Sequence, residues 1–407
     1  MASLKYWLWL TSLEGLTIRQ RLALLEHFGQ PEKIYFGESG EYALVEGMTR
    51  QGLTALEDKS LDRADKILGD CERLGLQILT IRDAAYPDRL RNISDPPLVL
   101  YVQGRMPLFD DEVAIAMVGS RKASPYAQMM GEKLAFQMAG LGALIVSGLA
   151  AGGDAAAHRG ALRAGGFTAA VIGGGHDLIY PRENRSLYED IGVRGVILSE
   201  YPPGTPHEGA HFPVRNRIIS GLCLGTVVIE APERSGTLIT VNHALDQGRD
   251  VFALPGQADD WHCTGSNRLL RDGAGVVIDG WDVLSCYAAR FPHKLRPFRA
   301  EEPRHFGGGE KEVETQKAAP AKAPEAPPPA PPKPVLDLSG DHGLTDDQVR
   351  IVRTLGERTM QVDDIIAETE IPARRVLSAL TMLELDGVVE QSSGKRFALA
   401  VTVTGQE

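Results

Sequence analysis

Four short segments of small residues could seat phosphate groups in this chain of 407 residues. Each follows an apolar run that predicts a buried strand, and each precedes a helical pattern. The segments are Gly119-Ser120-Arg121, Ser147-Gly148-Leu149-Ala150-Ala151-Gly152-Gly153, Gly173-Gly174-Gly175 and Ser235-Gly236-Thr237. Helix N-termini leave unpaired N–H groups and a partial positive charge, so each turn is a potential phosphate seat. Four such turns along one sheet edge favour phosphate binding over loop geometry alone.

Common nucleotide and metal motifs are absent from these segments. No GxGxxG follows Gly119 with an acidic residue about 20 positions later, which excludes a dinucleotide fingerprint. The chain also lacks GxxxxGK[ST], the motif of P-loop ATPases. His207 and His211 are four residues apart, but proline-rich backbone precedes them, which disfavours a zinc-binding helix. We therefore expect no metal and no cofactor.

An aromatic residue beside guanidinium groups is the second candidate feature. Phe212 precedes Pro213, a residue suited to a helix start, and Arg215, Asn216 and Arg217 follow within the first turns. Single-stranded nucleic acid needs this combination, because bases stack on aromatic rings and cations hold the backbone.

The arginines of this chain can be interpreted in two ways. We expect Arg121 and Arg217 to enter one cleft and bracket a phosphate from two sides. The alternative is that Phe212 belongs to the core and that one arginine pairs with Glu200 or Glu230.

A doubly wound, mostly parallel sheet must position these turns. Near-continuous apolar runs are typical of strands buried on both faces, and helical patterns such as 127–140 and 237–248 lie between them. The predicted strands are 113–118, 143–146, 168–172, 196–198, 226–229, 251–254 and 276–278. Ligands bind at the carboxyl ends of the strands in such sheets, where the four turns fall.

Three further segments flank this α/β domain, which we place at residues 81–294. Leucines recur at helical spacing in residues 1–80, where residues 13–29 favour either a helix-hairpin-helix or a small helical bundle without a ligand. Residues 295–340 form a linker whose Pro/Ala-rich centre is an extended spacer.

The last segment, residues 341–407, predicts three helices and a hairpin around residues 392–394, the pattern of a winged helix. Residues 344–400 hold seven Lys/Arg and ten Asp/Glu. This acidic balance favours protein interaction or an accessory role over sequence-specific DNA reading.

Composition limits the class of protein further. The net charge of −11 argues against coating duplex DNA through bulk positive charge, although a local basic cleft remains compatible with it. Four widely spaced cysteines exclude a zinc ribbon and a disulfide framework. No apolar run approaches the roughly 18 residues of a membrane helix, and the short apolar N-terminus lacks a cleavage site. We expect a cytoplasmic protein without membrane contact.

Seven motifs in sequence order carry a family resemblance. Between residues 80 and 290 the chain reads MVGSRKASPYA, IVSGLAAGGDAAAH, GGGHDLIYPREN, LSEYPPGTP, FPVRNRIISGL, VIEAPERSGTLIT and GRDVFALPG. Together these motifs resemble the DprA/Smf (DNA-processing protein A) family. The resemblance implies an extended Rossmann domain that binds single-stranded DNA, forms homodimers and loads the recombinase RecA during natural transformation.

The predicted DNA-binding residues combine the phosphate seats with the segment around Phe212. They are Gly119, Ser120, Arg121, Ser147, Gly148, Gly173, Gly174, Phe212, Arg215, Asn216, Arg217, Ser235, Gly236 and Thr237.

Two other functions compete with single-strand binding. Phosphoribohydrolases share this Rossmann variant but carry a catalytic glutamate where this chain has Thr240. We therefore predict no enzyme activity. A transcription regulator acting through the winged helix is disfavoured by the acidic balance of that segment.

Overall fold

The structure, a computed structural model, describes residues 2–295, 335–337, 344–356, 358–369, 371–392 and 396–404. It divides into two compact units, residues 1–305 and 306–407, which are considered separately. Apart from Leu295 and residues 335–337, the predicted linker lies outside the described residues.

Six helices form the N-terminal part of the first unit. They are α1 (Ala2–Ser12), α2 (Ile18–Phe28), α3 (Pro31–Phe36), α4 (Ser39–Tyr42), α5 (Arg50–Glu57) and α6 (Asp62–Leu74). The turn between α1 and α2 contains Gly15 at φ +95°, and Thr17 caps α2 by accepting a hydrogen bond from the N–H of Gln20. The apolar core of these helices includes Leu98, Val99 and Tyr101. The helices therefore share a core with the sheet that follows.

A nine-stranded sheet forms the rest of the first unit. Its strands are β1 (Gln77–Thr80), β2 (Val99–Gly104), β3 (Ala114–Val118), β4 (Leu144–Ser147), β5 (Thr168–Ile172), β6 (Val196–Ser199), β7 (Gly225–Val228), β8 (Asp250–Ala253) and β9 (Gly275–Val276). Their spatial order is β1-β2-β6-β5-β4-β3-β7-β8-β9. The strands from β3 to β9 pair in parallel, whereas β2 pairs antiparallel with β1 and β6. The predicted fold class is confirmed, although the sequence analysis missed β1 and β2.

Eight helices cover the sheet. They are α7 (Asp88–Arg91), α8 (Pro125–Gly140), α9 (Gly153–Arg163), α10 (Arg185–Arg194), α11 (His211–Gly221), α12 (Gly236–Asp246), α13 (Thr264–Arg271) and α14 (Gly280–Ala288). The strand order reverses at β3, which lies between β4 and β7. The chain leaves β3 toward β4 on one side and leaves β7 toward β8 on the other, so a crevice opens at the carboxyl ends of β3 and β7.

The second unit contains the predicted winged helix. Its elements are β10 (Val335–Asp337), α15 (Asp346–Leu355), β11 (Met360–Gln361), α16 (Val362–Thr369), α17 (Ala373–Leu385), β12 (Val389–Ser392), β13 (Arg396–Leu399) and β14 (Thr402–Thr404). β13 lies between β11 and β12, and β10 pairs in parallel with β14. The predicted hairpin turn includes Ser393 and Gly394, which lie outside the described residues. In neither unit do the described helices include one that is long and apolar enough to cross a membrane.

Candidate nucleic-acid interface

Two clefts at the carboxyl edge of the sheet share one wall, formed by Arg121 and Phe212. The larger cleft, of about 500 Å³, lies over the ends of β3 and β7. The smaller pocket, of about 50 Å³, lies over the ends of β4 and β5. Most of the predicted site residues border one of these two spaces.

The shared wall is a cation–π contact. The guanidinium carbon of Arg121, an exposed residue after β3, lies 4.6 Å from the centre of the Phe212 ring. Phe212, in the first turn of α11, is half-buried. A Cβ at Gly173 would lie 3.2 Å from its ring, so the end of β5 backs the phenyl group closely. The ring therefore borders both clefts, and the alternative that Phe212 is a core residue is wrong.

Aromatic rings line the small pocket. Tyr180 is 47% exposed and stacks on His207 with ring centres 5.6 Å apart, and it lies 5.7 Å from Phe212. Burial lowers the pKa of His207, so this imidazole is neutral at physiological pH. Apart from Arg121 in the shared wall, the pocket therefore offers flat aromatic faces. Sequence reasoning missed Tyr180 and His207, although Tyr180 follows the predicted turn at Gly173 within the quoted motif.

Positive charge surrounds the large cleft. Lys122 and Arg234 line it together with Arg121, and all three side chains are exposed. Within the part of the chain that the structure describes, none of the three makes an ion pair. Lys122 and Arg234 were missed as site residues, although each adjoins a predicted phosphate seat. The cleft can therefore attract an anionic ligand despite the negative charge of the whole chain.

The N-terminus of α12 opens into the same cleft. Ser235, Gly236 and Thr237 line it, and Ser235 caps the helix by accepting a hydrogen bond from the N–H of Thr237. Asn216 also lines it, with its amide nitrogen 3.5 Å from the carbonyl oxygen of Gly236. This turn keeps the geometry of the predicted phosphate seat.

The carboxylate of Asp154 lies at the phosphate seats predicted after β3 and β4. Its carboxylate, buried at the start of α9, accepts hydrogen bonds from the N–H groups of Gly119, Gly148 and Ala150. An internal anion therefore already uses the amides at these two predicted phosphate seats, although Gly119 and Gly148 still line the two clefts. Burial raises the pKa of Asp154, whereas Arg215 and these N–H groups oppose the rise.

Arg215 forms part of the buried floor of the large cleft. It is 3% exposed, and its guanidinium donates to the carbonyl oxygen of Val171. A Cβ at Gly148 would lie 2.0 Å from Arg215 Nη1 and 2.6 Å from Asp154 Oδ2, so only glycine fits between these charges. Burial lowers the pKa of Arg215 to about 10, which leaves it charged at neutral pH. Arg215 is placed to balance Asp154, and it reaches the large cleft only as part of this buried lining.

Arg217 points away from both clefts. Its Nη2 donates to Glu200 Oε1 at 2.8 Å, and its Nε donates to the carbonyl oxygen of Asp95 at 2.8 Å. Burial lowers the pKa of Arg217, but the charge and hydrogen bond of Glu200 outweigh burial and raise it overall. The prediction that Arg121 and Arg217 bind one phosphate from two sides is therefore wrong. The pairing alternative holds with Glu200, whereas Glu230 instead accepts from Ser124.

Two other predicted residues are turned inward. The hydroxyl of Ser147 is fully buried and donates to the carbonyl oxygen of Met117 at 2.5 Å. Gly174 lies behind the small pocket, where a Cβ would come within 2.8 Å of the His207 ring. The predicted residues that line the two clefts are therefore Gly119, Ser120, Arg121, Gly148, Gly173, Phe212, Arg215 and Asn216, along with the start of α12.

The buried environment of Arg217 makes its replacement a test of fold rather than of binding. We expect Arg217→Ala to lower the free energy of unfolding by about 2 kcal/mol, because Glu200 and the carbonyl oxygens of Asp95 and Val214 lose their donor. Nucleic-acid affinity per folded molecule should stay unchanged. Urea unfolding and a binding titration on the same preparation measure both quantities. A large loss of affinity in a stably folded variant would show that Arg217 contributes to nucleic-acid binding.

Comparison with known proteins identifies relatives of both units. The family model for DNA recombination-mediator protein A matches residues 77–288, and the model for the DprA winged helix domain matches residues 319–395. The chain is 32% identical over 404 residues to Protein Smf of Synechocystis, covering 96% of this chain and 98% of that protein. It is 46% identical over 206 residues to the DNA processing protein DprA of Streptococcus pneumoniae, covering 51% of this chain and 72% of that protein.

A solved structure shares this fold. The X-ray structure of DNA processing protein A from Streptococcus pneumoniae matches with a TM-score of 0.62 at 37% identity. The match covers 69% of this chain and 97% of that chain.

Proposed function

The chain belongs to the DNA recombination-mediator protein A family, and from this premise we propose that it binds single-stranded DNA across the two clefts beside Phe212. The observation that carries the proposal is the wall between the clefts, where Arg121 lies over the half-buried Phe212 ring. The wall therefore places a cation beside an aromatic ring at the border of both clefts. Bases stack on aromatic rings here while phosphates bind the cations.

The arrangement favours single strands over duplex. Phe212 and Tyr180 offer ring faces to unpaired bases, whereas the bases of a duplex already stack on one another. Phosphates of the same strand lie over Arg121, Lys122 and Arg234 and approach the N-terminus of α12. Stacking accepts every base, so sequence preference is slight.

Salt dependence and strand selectivity test this proposal together. A single strand that contacts three cations should show a slope of log affinity against log salt of about −2, because each contacted phosphate contributes about −0.7. A gel shift should show tighter binding of an oligothymidylate than of a duplex of equal length. A flat salt response would contradict the electrostatic half of the proposal, and equal binding of duplex would contradict the stacking half.

We propose binding rather than catalysis at this site. Thr240 lines the large cleft at the position where the related phosphoribohydrolases carry glutamate. The carboxylate that does line the cleft, Asp154, is buried and accepts three backbone hydrogen bonds, so it is not poised for proton transfer. Release of free base from a nucleoside monophosphate would instead support the hydrolase.

Two protein partners complete the proposal. The family resemblance supports loading of RecA, which a pulldown of RecA on the full chain tests. An exposed apolar edge supports a homodimer, because Val276 on the edge strand β9 is 52% exposed and Ile278 just beyond it is 67% exposed. Sedimentation of the wild type beside Ile278→Glu tests whether this edge joins two copies.

We propose an accessory, protein-binding role for the winged helix. Arg375 on α17, the helix that reads DNA in related folds, forms two hydrogen bonds of 2.8 Å with Asp347. Leu377 and Met382 on the same helix are 51% and 49% exposed. A helix with these side chains suits an apolar protein surface better than a DNA groove.

A further inference from the structure

We infer that Trp261 is a second base-stacking platform in the large cleft, so that one DNA strand is held at Phe212 and again at Trp261. The inference rests on the proposed function and adds a binding residue to it. Trp261 lies in a 3₁₀ turn (Trp261–Cys263) after β8 and lines the same cleft as Phe212. It lies outside the seven motifs and the four predicted phosphate seats.

Exposure sets Trp261 apart from the other tryptophans. Its side chain is 62% exposed, whereas Trp7 and Trp9 are 6% and 2% exposed in the helical core and Trp281 is half-buried. A tryptophan is the largest apolar side chain, and leaving it in water forgoes the stabilisation that burial would provide. Because the indole ring lines a cleft, a ligand bound in that cleft would cover it.

Neighbouring contacts hold the indole in place. The His262 ring lies against it with ring centres 3.8 Å apart, and Asp260 fixes His262 through its backbone N–H at 2.9 Å and Nδ1 at 2.8 Å. The hydroxyl of Thr264 donates to the carbonyl oxygen of Trp261 at 2.9 Å. A ring already fixed before binding loses little conformational entropy when a base stacks on it.

The turn that carries Trp261 is also joined to the cationic side of the cleft. Thr264 Oγ1 accepts a hydrogen bond from the N–H of Glu233, and the N–H of Gly265 donates to the carbonyl oxygen of Ala231 at 2.8 Å. These bonds fix Trp261 beside the segment that carries Arg234 and leads into α12.

The separation of the two platforms suits a strand several nucleotides long. Phe212 packs on the end of β5, and the turn of Trp261 is bonded to the segment after β7. These strands are three positions apart in the sheet, which is about 14 Å at the usual strand spacing. Arg121 and Lys122 lie between them, after β3. An aromatic ring therefore lies at each end of a row of cations. Grooves that bind single strands use the same combination, in which rings stack on bases and cations bind the phosphate backbone.

Affinity measurements on the full chain test the inference. We expect Trp261→Ala to raise the Kd for an oligothymidylate about fivefold to 150-fold, because one stacked base is lost. Trp261→Phe should recover part of this loss, because a smaller ring still stacks. A thymidine dinucleotide, too short to reach both platforms, should bind wild type and Trp261→Ala alike if it occupies the Phe212 side.

Tryptophan emission supplies a second readout. Bound oligothymidylate should quench the emission of the wild type, and Trp261→Phe should abolish most of the quenching. Trp281→Phe is the matched control, because Trp281 packs on the sheet core through α14 and should leave the quenching unchanged.

Measuring Phe212→Ala in parallel distinguishes a failure of the Trp261 platform from a failure of the proposed function. If Phe212→Ala weakens binding while Trp261→Ala leaves both affinity and quenching unchanged, the second platform is overturned and the proposed function stands. If the wild type does not bind single strands, the proposed function itself fails. If Trp261→Ala changes only the sedimentation of the chain, the indole contacts protein and the inference is overturned.

Discussion

The Asp154→Ala variant is expected to lose about 3–5 kcal/mol of its free energy of unfolding. Removing the carboxylate leaves the N–H groups of Gly119, Gly148 and Ala150 without an acceptor and the buried Arg215 without its counter-charge. Each unsatisfied buried donor costs about 1–3 kcal/mol, and a buried charge without a partner costs more.

Urea unfolding followed by tryptophan emission measures this effect, because all four tryptophans lie in the first unit. Asp272→Ala is the control, since Asp272 is 55% exposed and pairs with surface arginines, where a change of at most about 1 kcal/mol is expected. A loss below about 1 kcal/mol for Asp154→Ala would mean that water satisfies the three N–H groups. The floor of the cleft would then be open enough to bind phosphate after all.

Arg121→Ala should weaken single-strand binding by about 10-fold to 100-fold, because one charge-assisted hydrogen bond to phosphate is worth roughly 1.5–3 kcal/mol. Arg121→Lys should recover only part of the affinity, since lysine restores the charge without the planar fork. Stability should change by less than about 0.5 kcal/mol, because the side chain is exposed. Fluorescence anisotropy with a labelled oligothymidylate measures the affinities.

Arg185→Ala is the matched control for this experiment. Arg185 is an exposed arginine on α10 that pairs with Glu189 outside both clefts, so its replacement should leave binding unchanged. Phe212→Ala combined with Arg121→Ala should cost less than the two single changes added together, because the two side chains are in contact. Full additivity, or equal losses for Arg121→Ala and Arg185→Ala, would contradict a shared site.

The sequence was sufficient for the elements that follow a strong local pattern. Strands such as β5 are continuous apolar runs, and their predicted bounds agree with the structure at Thr168–Ile172. The two antiparallel strands β1 and β2 were missed. β1 spans four residues of which two are buried, and a run that short carries no clear period.

The sequence could not show which group each predicted site residue contacts in the folded protein. Arg121 follows a predicted strand and Arg217 lies in the first turns of a predicted helix, yet Arg121 is exposed at a cleft and Arg217 pairs with Glu200. Glu200, the residue after β6, lies 17 positions away along the chain, and only the tertiary fold brings it to Arg217 on α11. In the same way, the glycine turns predicted a phosphate, and the anion that occupies two of them is Asp154 of the chain itself.

Photocrosslinking locates the bound strand most directly. An oligothymidylate carrying iodouracil is bound to the full chain, irradiated, and the attached peptides are identified by mass spectrometry. Binding beside the shared wall predicts crosslinks on the peptides that contain Phe212 and Tyr180, which Arg121→Ala should reduce. Crosslinks confined to the winged helix of residues 344–404 or to the helices of residues 2–74 would contradict it, because the strand would then bind away from the sheet.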